Sequence, residues 1–95
     1  MITAITALAA QIPLILGTVQ NQAGSWITFT TYQGNCEGDD KVAFTQSSGG
    51  KVELTGCYRI VGDQLFVIWA DGDIYTYQIE HLTFSREMLK WLEEQ

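Results

Sequence analysis

Two turns that pair glycine with aspartate, at residues 62–63 and 71–72, divide the stretch from 56 to 79 into three short segments rich in Val, Ile, Tyr, Phe and Trp. β-Branched and aromatic side chains suit a pleated, half-buried surface, and glycine and aspartate tolerate the positive φ of tight hairpin turns. The pattern therefore predicts a β-meander, in which consecutive strands pair side by side. It carries no catalytic motif, so it constrains the fold far more than the function.

The strand pattern continues on the N-terminal side of this stretch. Alternating apolar and polar residues predict strands over 14–20, 25–32, 41–46 and 51–60, with turns between them that contain glycine. Residues 65–69 are apolar at consecutive positions, which predicts a central strand buried on both faces, and residues 74–79 close the meander. The expected fold is mostly β (α+β): a single antiparallel meander sheet or a small open barrel of about five to six strands with a C-terminal α-helix.

The length of 95 residues predicts a single domain, 1–95, with three parts. Residues 1–12 are uncharged and are interpreted as an apolar arm, a short helix or the remnant of a signal sequence, and they are too short to span a membrane. Residues 13–80 form the meander. Residues 85–94 predict a helix capped by Ser85, with an apolar face of Phe84, Met88, Trp91 and Leu92. We expect this face to dock on the sheet, and the alternative is that it docks on a partner.

The chain contains two cysteines, Cys36 and Cys57, each at the edge of a predicted strand. A disulfide between them would close a loop across two strands and a turn, and would contribute about 3 kcal/mol to stability. The alternative is two unrelated buried thiols, which are common in cytosolic proteins. We favour the disulfide, which indicates an oxidising compartment.

The formal net charge of −6 restricts the class of partner. A protein that neutralises phosphates needs clustered Lys and Arg side chains, whereas the basic residues of this chain are scattered among acidic ones. We therefore expect no nucleic-acid partner. The acidity indicates either simple solubility or a protein partner with a basic surface.

Motifs for catalysis and cofactor binding are missing from the sequence. It has no P-loop, dinucleotide fingerprint or nucleophile elbow, and His81 is its one histidine. The Asp71-Gly72-Asp73 sequence lacks the ligand spacing of a calcium loop, so we interpret it as a hairpin turn. We expect no enzymatic activity, no cofactor and no metal site.

Aromatic residues give the most specific indication of function. Tyr75 and Tyr77 share one face of the last predicted strand, and Tyr and Trp side chains often anchor protein interfaces. The alternative is that the tyrosines pack in the core. The candidate binding residues are the exposed aromatic side chains and the acidic side chains near them: Trp26, Trp69, Asp71, Asp73, Tyr75, Tyr77 and Glu80.

Four short motifs resemble a family of small, mostly uncharacterised proteins of bacteriophages and proteobacteria. They are N-Q-A-G-S-W-I-T-F-T at 21–30, G-C-Y from Gly56, V-I-W-A-D-G-D from Val67 and Y-T-Y from Tyr75. In that family an N-Q-A-G-G-like turn precedes the first Cys, and G-C-W and W-x-D-G-D elements follow. Tyr58 stands where the family has Trp. The resemblance implies a phage or bacterial accessory protein, and some family members carry signal peptides.

The expected function is that of a non-enzymatic, acidic protein-binding module that acts through its aromatic and acidic surface, with inhibition of a host protein as one form of that activity. Two alternatives stay open. A virion structural component would use its terminal segments for subunit contacts and form a homo-oligomer. A periplasmic or envelope accessory protein would be a disulfide-bonded monomer. The disulfide slightly favours a periplasmic, secreted or virion-associated location over the host cytoplasm.

Overall fold

The computed structural model describes residues 12–21, 24–47 and 49–95. The predicted N-terminal arm at 1–12 lies outside the described residues, apart from Ile12. The elements, in chain order, are β1 (Ile15–Gln20), β2 (Trp26–Thr30), β3 (Lys41–Gln46), β4 (Val52–Val61), β5 (Gln64–Trp69), β6 (Ile74–Gln78), a 3₁₀ turn (Ile79–His81), β7 (Thr83–Phe84) and the helix α1 (Arg86–Glu93).

All seven strands belong to one antiparallel sheet with the order β6-β5-β4-β3-β2-β1-β7. Strands β1 to β6 follow one another as a meander, and β7 returns to pair with β1 at the far edge. The sheet curls into a half-barrel. The predicted mostly β fold with a C-terminal helix is confirmed. The two-residue β7 is a strand that the sequence pattern did not predict.

Small residues in the middle strands allow the sheet to curl around large ones. On the concave face, Ala43 of β3 lies beside Phe29, and Gly56 of β4 lies between Ala43 and Trp69. A Cβ atom at Gly56 would lie 2.6 Å from the carbonyl oxygen of Ile68 and 2.9 Å from the Trp69 ring. Glycine is therefore required at position 56, because any side chain would push β4 and β5 apart.

The apolar core fills one end of the half-barrel. Phe29, Leu65 and Val67 are fully buried there. The ring of Tyr58 meets the ring of Phe29 edge-on, with centroids 5.0 Å apart and an interplanar angle of 83°. Such edge-to-face contacts add to the stabilisation that burial provides. The other core residues are Val19, Ile27, Ala43, Trp69 and Leu82.

Strand β5 differs from the prediction. It was expected to be central and buried on both faces, but it lies next to the edge strand β6. Leu65, Val67 and Trp69 face the core, whereas Ile68 is 43% exposed on the convex face. The prediction was wrong because the apolar side chains of the convex face lie beside one another across strands, as Ile68 does with Ile74, and remain largely exposed to solvent.

The disulfide prediction is confirmed. Cys36, in the loop between β2 and β3, is bonded to Cys57 on the convex face of β4, with a Cα–Cα distance of 5.8 Å. An ion pair between Asp40 and Arg59, 3.1 Å apart, joins the same loop to the same strand. These two connections hold the loop against the convex face of the sheet.

The helix α1 begins as predicted and docks beside β1. The Ser85 Oγ accepts a hydrogen bond from the Met88 N–H at 3.0 Å and donates one to the Ile15 carbonyl at 2.6 Å. Met88 is buried and Trp91 is half-buried, but Leu92 is exposed, so only part of the predicted apolar face is covered. Within the described part of the chain, no helix has the length and apolar character needed to cross a membrane.

Candidate binding cleft

The connections between strands determine which end of the half-barrel is open. At one end the 3₁₀ turn leads from β6 into β7, which pairs with Gly17 and Thr18 of β1. This connection joins the two edges of the sheet beside the packed core. At the other end β1 finishes at Gln20 and β6 starts at Ile74, and among the described residues no strand lies between them. The half-barrel is therefore closed at the core end and open at the opposite end.

A cleft of about 940 Å³ begins at this open end and extends to the 3₁₀ turn and β7, where His81 and Thr83 line it. Val19, Ile27 and Leu54 form an aliphatic floor, and Trp69 and the two tyrosines of β6 form an aromatic wall. Ligand sites in proteins commonly have volumes of about 300–1,000 Å³ and are lined mainly by apolar and aromatic side chains. The size and the lining of this cleft both fall within that description.

Tyr75 and Tyr77 form the part of the wall contributed by β6. Their rings lie 6.5 Å apart, and the Tyr77 ring also lies edge-on to Phe29 at 6.2 Å. Tyr77 is half-buried against the core, whereas Tyr75 is 53% exposed at the mouth of the cleft. Tyr77 therefore packs against the core, whereas the ring of Tyr75 is accessible to a partner.

The hydroxyl of Tyr77 is held in its neutral form. Burial raises the pKa of Tyr77, a hydrogen bond from the Trp69 side chain partly opposes this rise, and the neighbouring Tyr75 adds to it. Trp69 is itself almost completely buried, and buried indole N–H groups usually find a hydrogen-bond partner. Burial of Trp69 and the edge-on contact of Tyr77 with Phe29 hold these two rings of the wall in place.

Asp71 and Asp73 lie in the turn between β5 and β6, at the rim of the cleft. Gly72 has a φ of 94° and donates its N–H to the Trp69 carbonyl at 2.9 Å, and the Asp73 N–H donates to Asp71 Oδ1 at 3.0 Å. The predicted hairpin turn is thus confirmed. Both aspartates are exposed, and neither takes part in the ion pairs that the described residues form.

Of the two remaining candidate binding residues, Trp26 lies at the cleft and Glu80 lies away from it. Trp26 begins β2 at the rim and is 43% exposed. Glu80 lies in the 3₁₀ turn outside the cleft, where its carboxylate is 3.9 Å from the His81 ring. The candidates that share the cleft are Trp26, Trp69, Asp71, Asp73, Tyr75 and Tyr77.

Several residues that line the cleft were not assigned to it from the sequence, among them Thr45, Leu54 and His81. The register brings Leu54 beside Thr45 on the same concave face as the tyrosines of β6. Alternation within each strand does not show how neighbouring strands align, so the sequence pattern alone did not place Leu54 beside Thr45. His81 belonged to no recognised motif, although its position after β6 places it at the side of the cleft.

The described residues include no group of three or more His, Cys, Asp or Glu side chains arranged to hold a metal ion. A second depression, of about 410 Å³, lies on the convex face beside the disulfide, between Tyr32 and Ile68. It lacks the aromatic wall and the acidic rim of the larger cleft. The larger cleft is therefore the stronger candidate site.

No protein-family model, no curated protein and no solved structure matches this chain. The resemblance to small phage and proteobacterial proteins therefore stays a prediction. The inference of function depends on the chemistry of the cleft.

Proposed function

We propose that the protein is a non-enzymatic module that binds another protein through the cleft at the open end of its half-barrel. The observation that carries this proposal is the convergence of aromatic and acidic side chains, contributed by β2, β5, β6 and the turn before β6, on one concave surface. The resemblance to phage and bacterial accessory proteins favours the same role, which includes inhibition of a host protein.

The composition of the cleft suits protein recognition. Tyr and Trp side chains provide a large contact area at a small cost in conformational entropy, and they dominate the binding energy of many interfaces. Trp69 is almost completely buried and Tyr77 packs edge-on to Phe29, so little ordering of these rings is needed when a partner binds. The exposed Tyr75 ring and the carboxylates of Asp71 and Asp73 remain available to the partner.

The same side chains provide weak support for catalysis. The carboxylates at the cleft lie on an exposed turn, and His81 is exposed as well. A general base or an activated nucleophile requires a second group that orients it and shifts its pKa.

Selection of peptides tests the proposal. A library of random linear peptides is selected on the immobilised protein, and the affinity of the enriched peptides is then measured by calorimetry for three forms of the protein: the parent, Tyr75→Ala and Ile74→Ala. Ile74 is a matched control because it adjoins Tyr75 and is similarly exposed, 57% against 53%, but lies on the convex face.

We expect Tyr75→Ala to weaken binding by about tenfold or more, which is the loss typical of an interface anchor, and Ile74→Ala to change it less than about twofold. Enriched peptides that bind both variants with the affinity of the parent would contradict the proposal. A selection that enriches no peptide able to bind the parent would contradict it as well.

A second candidate function is that of a virion structural component whose terminal segments contact neighbouring subunits. The observation that favours it is the exposure of apolar side chains near both ends of the described chain: Leu14 is 60% exposed, Leu89 50% and Leu92 46%. Light scattering after size-exclusion chromatography tests it. A stable oligomer that dissociates in Leu89→Lys would favour this role, and a monomer at high concentration would exclude it.

A further inference from the structure

Strand β6 is the outermost strand of the sheet on its side, and none of the described residues pairs with its outer edge. In an antiparallel pair, residues alternate between directing their backbone groups toward the partner strand and away from it. The backbone N–H of Trp69 donates to the Asp73 carbonyl at 2.8 Å, and the backbone N–H of Ile79 donates to the Asp63 carbonyl at 2.9 Å. These two bonds fix the phase of the alternation along β6.

This alternation shows which backbone groups of β6 point toward β5 and which point away from it. Residues an even number of positions from Asp73, namely Tyr75 and Tyr77, direct their N–H and C=O groups toward β5. Ile74, Thr76 and Gln78 direct theirs toward the open edge. Within the described part of the chain, the edge therefore presents a row of unpaired backbone donors and acceptors beside the cleft.

This edge lacks the usual protection against pairing. Natural edge strands commonly carry lysine, proline or a bulge, which prevent another strand from adding to them. The sequence of β6, I-Y-T-Y-Q, has no charged residue and no proline, and its pairing with β5 is regular from Ile74 to Gln78. A regular, uncharged edge of this kind is a template for another strand.

The cleft and the edge favour the same occupant. Tyr75 and Tyr77 turn their side chains into the cleft, whereas the free backbone groups belong to the residues between them. A strand that adds to β6 would continue the sheet, and every second side chain of that strand would lie over the cleft. Backbone bonds would supply affinity, and the cleft would select side chains.

Charge complementarity identifies the chemistry of that strand. Asp71 and Asp73 stand at the rim of the cleft, none of the described residues that line it is a Lys or Arg, and the chain carries a net charge of −6. An aromatic wall with acidic side chains beside it favours a cationic side chain, through cation–π attraction and ion pairing. A second copy of this chain is disfavoured as the occupant because it carries the same negative charge.

We propose that the partner is bound as an extended basic strand that adds antiparallel to the free edge of β6 and places alternate basic and aliphatic side chains in the cleft. This inference rests on the proposed function and specifies how the cleft recognises its partner.

A designed probe tests the proposal. The capped peptide Lys-Thr-Val-Thr-Lys-Thr-Val-Thr places lysine and valine on one face and threonine on the other. In an antiparallel addition to β6, the residues that bond to Ile74, Thr76 and Gln78 have side chains on the convex face, so the threonines donate their N–H groups to β6. We expect the peptide to bind with micromolar affinity, and the same peptide with glutamate in place of lysine to bind at least about tenfold more weakly.

Backbone methylation separates strand addition from other modes of binding. N-methylation of the threonines removes the N–H groups that face β6, and we expect it to abolish binding. N-methylation of the valines alters N–H groups that point away from β6, and we expect it to have little effect. In the free protein the amides of Ile74, Thr76 and Gln78 should exchange rapidly with solvent, and the probe should slow their exchange at least about tenfold, because each becomes part of a ladder.

A variant of the protein provides the complementary test. Thr76→Pro removes an N–H that points to the open edge, and proline is tolerated in edge strands at such positions. Thr76→Ala is the matched control, because it keeps the N–H and removes the side chain. We expect Thr76→Pro to weaken binding of the probe about tenfold or more and Thr76→Ala to leave it within about twofold. If Thr76→Pro fails to fold, the methylated peptides decide the question with the parent protein.

The outcomes separate the two proposals. A probe that requires Tyr75 but tolerates methylated threonines, or that leaves the exchange of the Thr76 amide unchanged, overturns strand addition and leaves the cleft as the binding site. A probe that fails to bind at millimolar concentration also overturns strand addition, while the selected peptides still test the cleft. A probe whose binding is unaffected by Tyr75→Ala contradicts the proposed function itself.

Discussion

The hydroxyl of Tyr58 donates a hydrogen bond to the carbonyl of Thr30, 2.6 Å away. Tyr58 belongs to β4 and Thr30 ends β2, so the bond passes across β3, which lies between them in the sheet. The phenol ring crosses the concave face of β3 near Ala43, whose small, fully buried side chain leaves room for the ring. One side chain thereby joins strands that are not neighbours.

We expect Tyr58→Phe to lower the free energy of unfolding by about 1–2 kcal/mol, because it leaves a buried carbonyl without its partner but keeps the ring that packs on Phe29. Urea denaturation beside the parent measures the loss. Tyr32→Phe is the matched control, since Tyr32 is 60% exposed and its change should have almost no effect. Equal stability of the parent and Tyr58→Phe would show that the bond contributes nothing.

The same hydroxyl predicts a loss of stability in alkaline solution. Burial raises the pKa of Tyr58 from 10.0 to about 12. Below pH 10 the phenol is protonated in both the folded and the unfolded chain, so its contribution is fully present. Between pH 10 and pH 12 the unfolded chain releases the proton first, and the contribution is lost as the pH rises.

The expected loss over this interval is about 2–3 kcal/mol, from about 1.4 kcal/mol for each unit of pKa difference. Denaturation of the parent and of Tyr58→Phe at a series of pH values isolates the effect, since the two proteins differ only at position 58. The stability of the parent relative to Tyr58→Phe should fall between pH 10 and pH 12, to the point where the parent becomes the less stable of the two. A difference that stays constant over that range would refute the assignment.

Removal of the disulfide should destabilise the protein mainly because it increases the conformational entropy of the unfolded chain. Cys36 and Cys57 are separated by 21 positions, and a crosslink across a loop of that length stabilises by about 3 kcal/mol. We expect Cys36→Ala with Cys57→Ala to lower the free energy of unfolding by this amount. Thiol titration of the unfolded, unreduced parent should detect no free thiol, and detection of two would contradict the bond.

The glycine in the middle of the sheet should be intolerant of change. In Gly56→Ala the new methyl group would meet backbone atoms of β5, with the Ile68 carbonyl oxygen at 2.6 Å, so we expect a loss of about 1–3 kcal/mol from overpacking. Gly49→Ala serves as the control, because its nearest neighbour would be 3.9 Å away and it lies in a turn. Similar thermal stability of the two variants would show that β4 and β5 separate without cost.

Local patterns in the sequence predicted most of the sheet because each strand has its own alternation and each turn its own glycine. The bounds of β3 were predicted at 41–46, and Gly72 has the positive φ that its hairpin turn requires. β7 escaped prediction because a two-residue strand has no periodicity. It forms only because the 3₁₀ turn brings Phe84 beside Gly17.

The cleft could not be predicted without the curvature of the sheet. The alternation of apolar and polar residues along a strand does not contain that information. The sequence indicates that Tyr75 and Tyr77 share a face, but whether that face meets the core depends on how far the sheet curls around Phe29. The answer differs for two residues on the same strand, since Tyr77 packs on the core and Tyr75 does not. Glu80 was assigned to the site by proximity in sequence, and the 3₁₀ turn carries it away.

The helix α1 offers the last prediction, because its attachment decides where its apolar face belongs. Trp91 is half-buried, and within the described part of the chain its indole N–H is buried without a hydrogen-bond partner. Trp91→Ala should therefore cost about 1.5–3 kcal/mol, less than the 3–5 kcal/mol typical of a fully buried Trp. Trp91→Phe should cost less again, because it keeps a ring and removes the unpaired donor.

Chemical denaturation of both variants beside the parent measures these losses, with Leu92→Ala as the control on the same helix. Leu92 is 46% exposed, so its truncation should cost well under about 1 kcal/mol. If Trp91→Ala also costs less than about 1 kcal/mol, the docking of α1 contributes little to the stability of the domain. The face formed by Phe84, Met88 and Trp91 would then be a surface for a partner, and α1 would become the next place to look for a binding site.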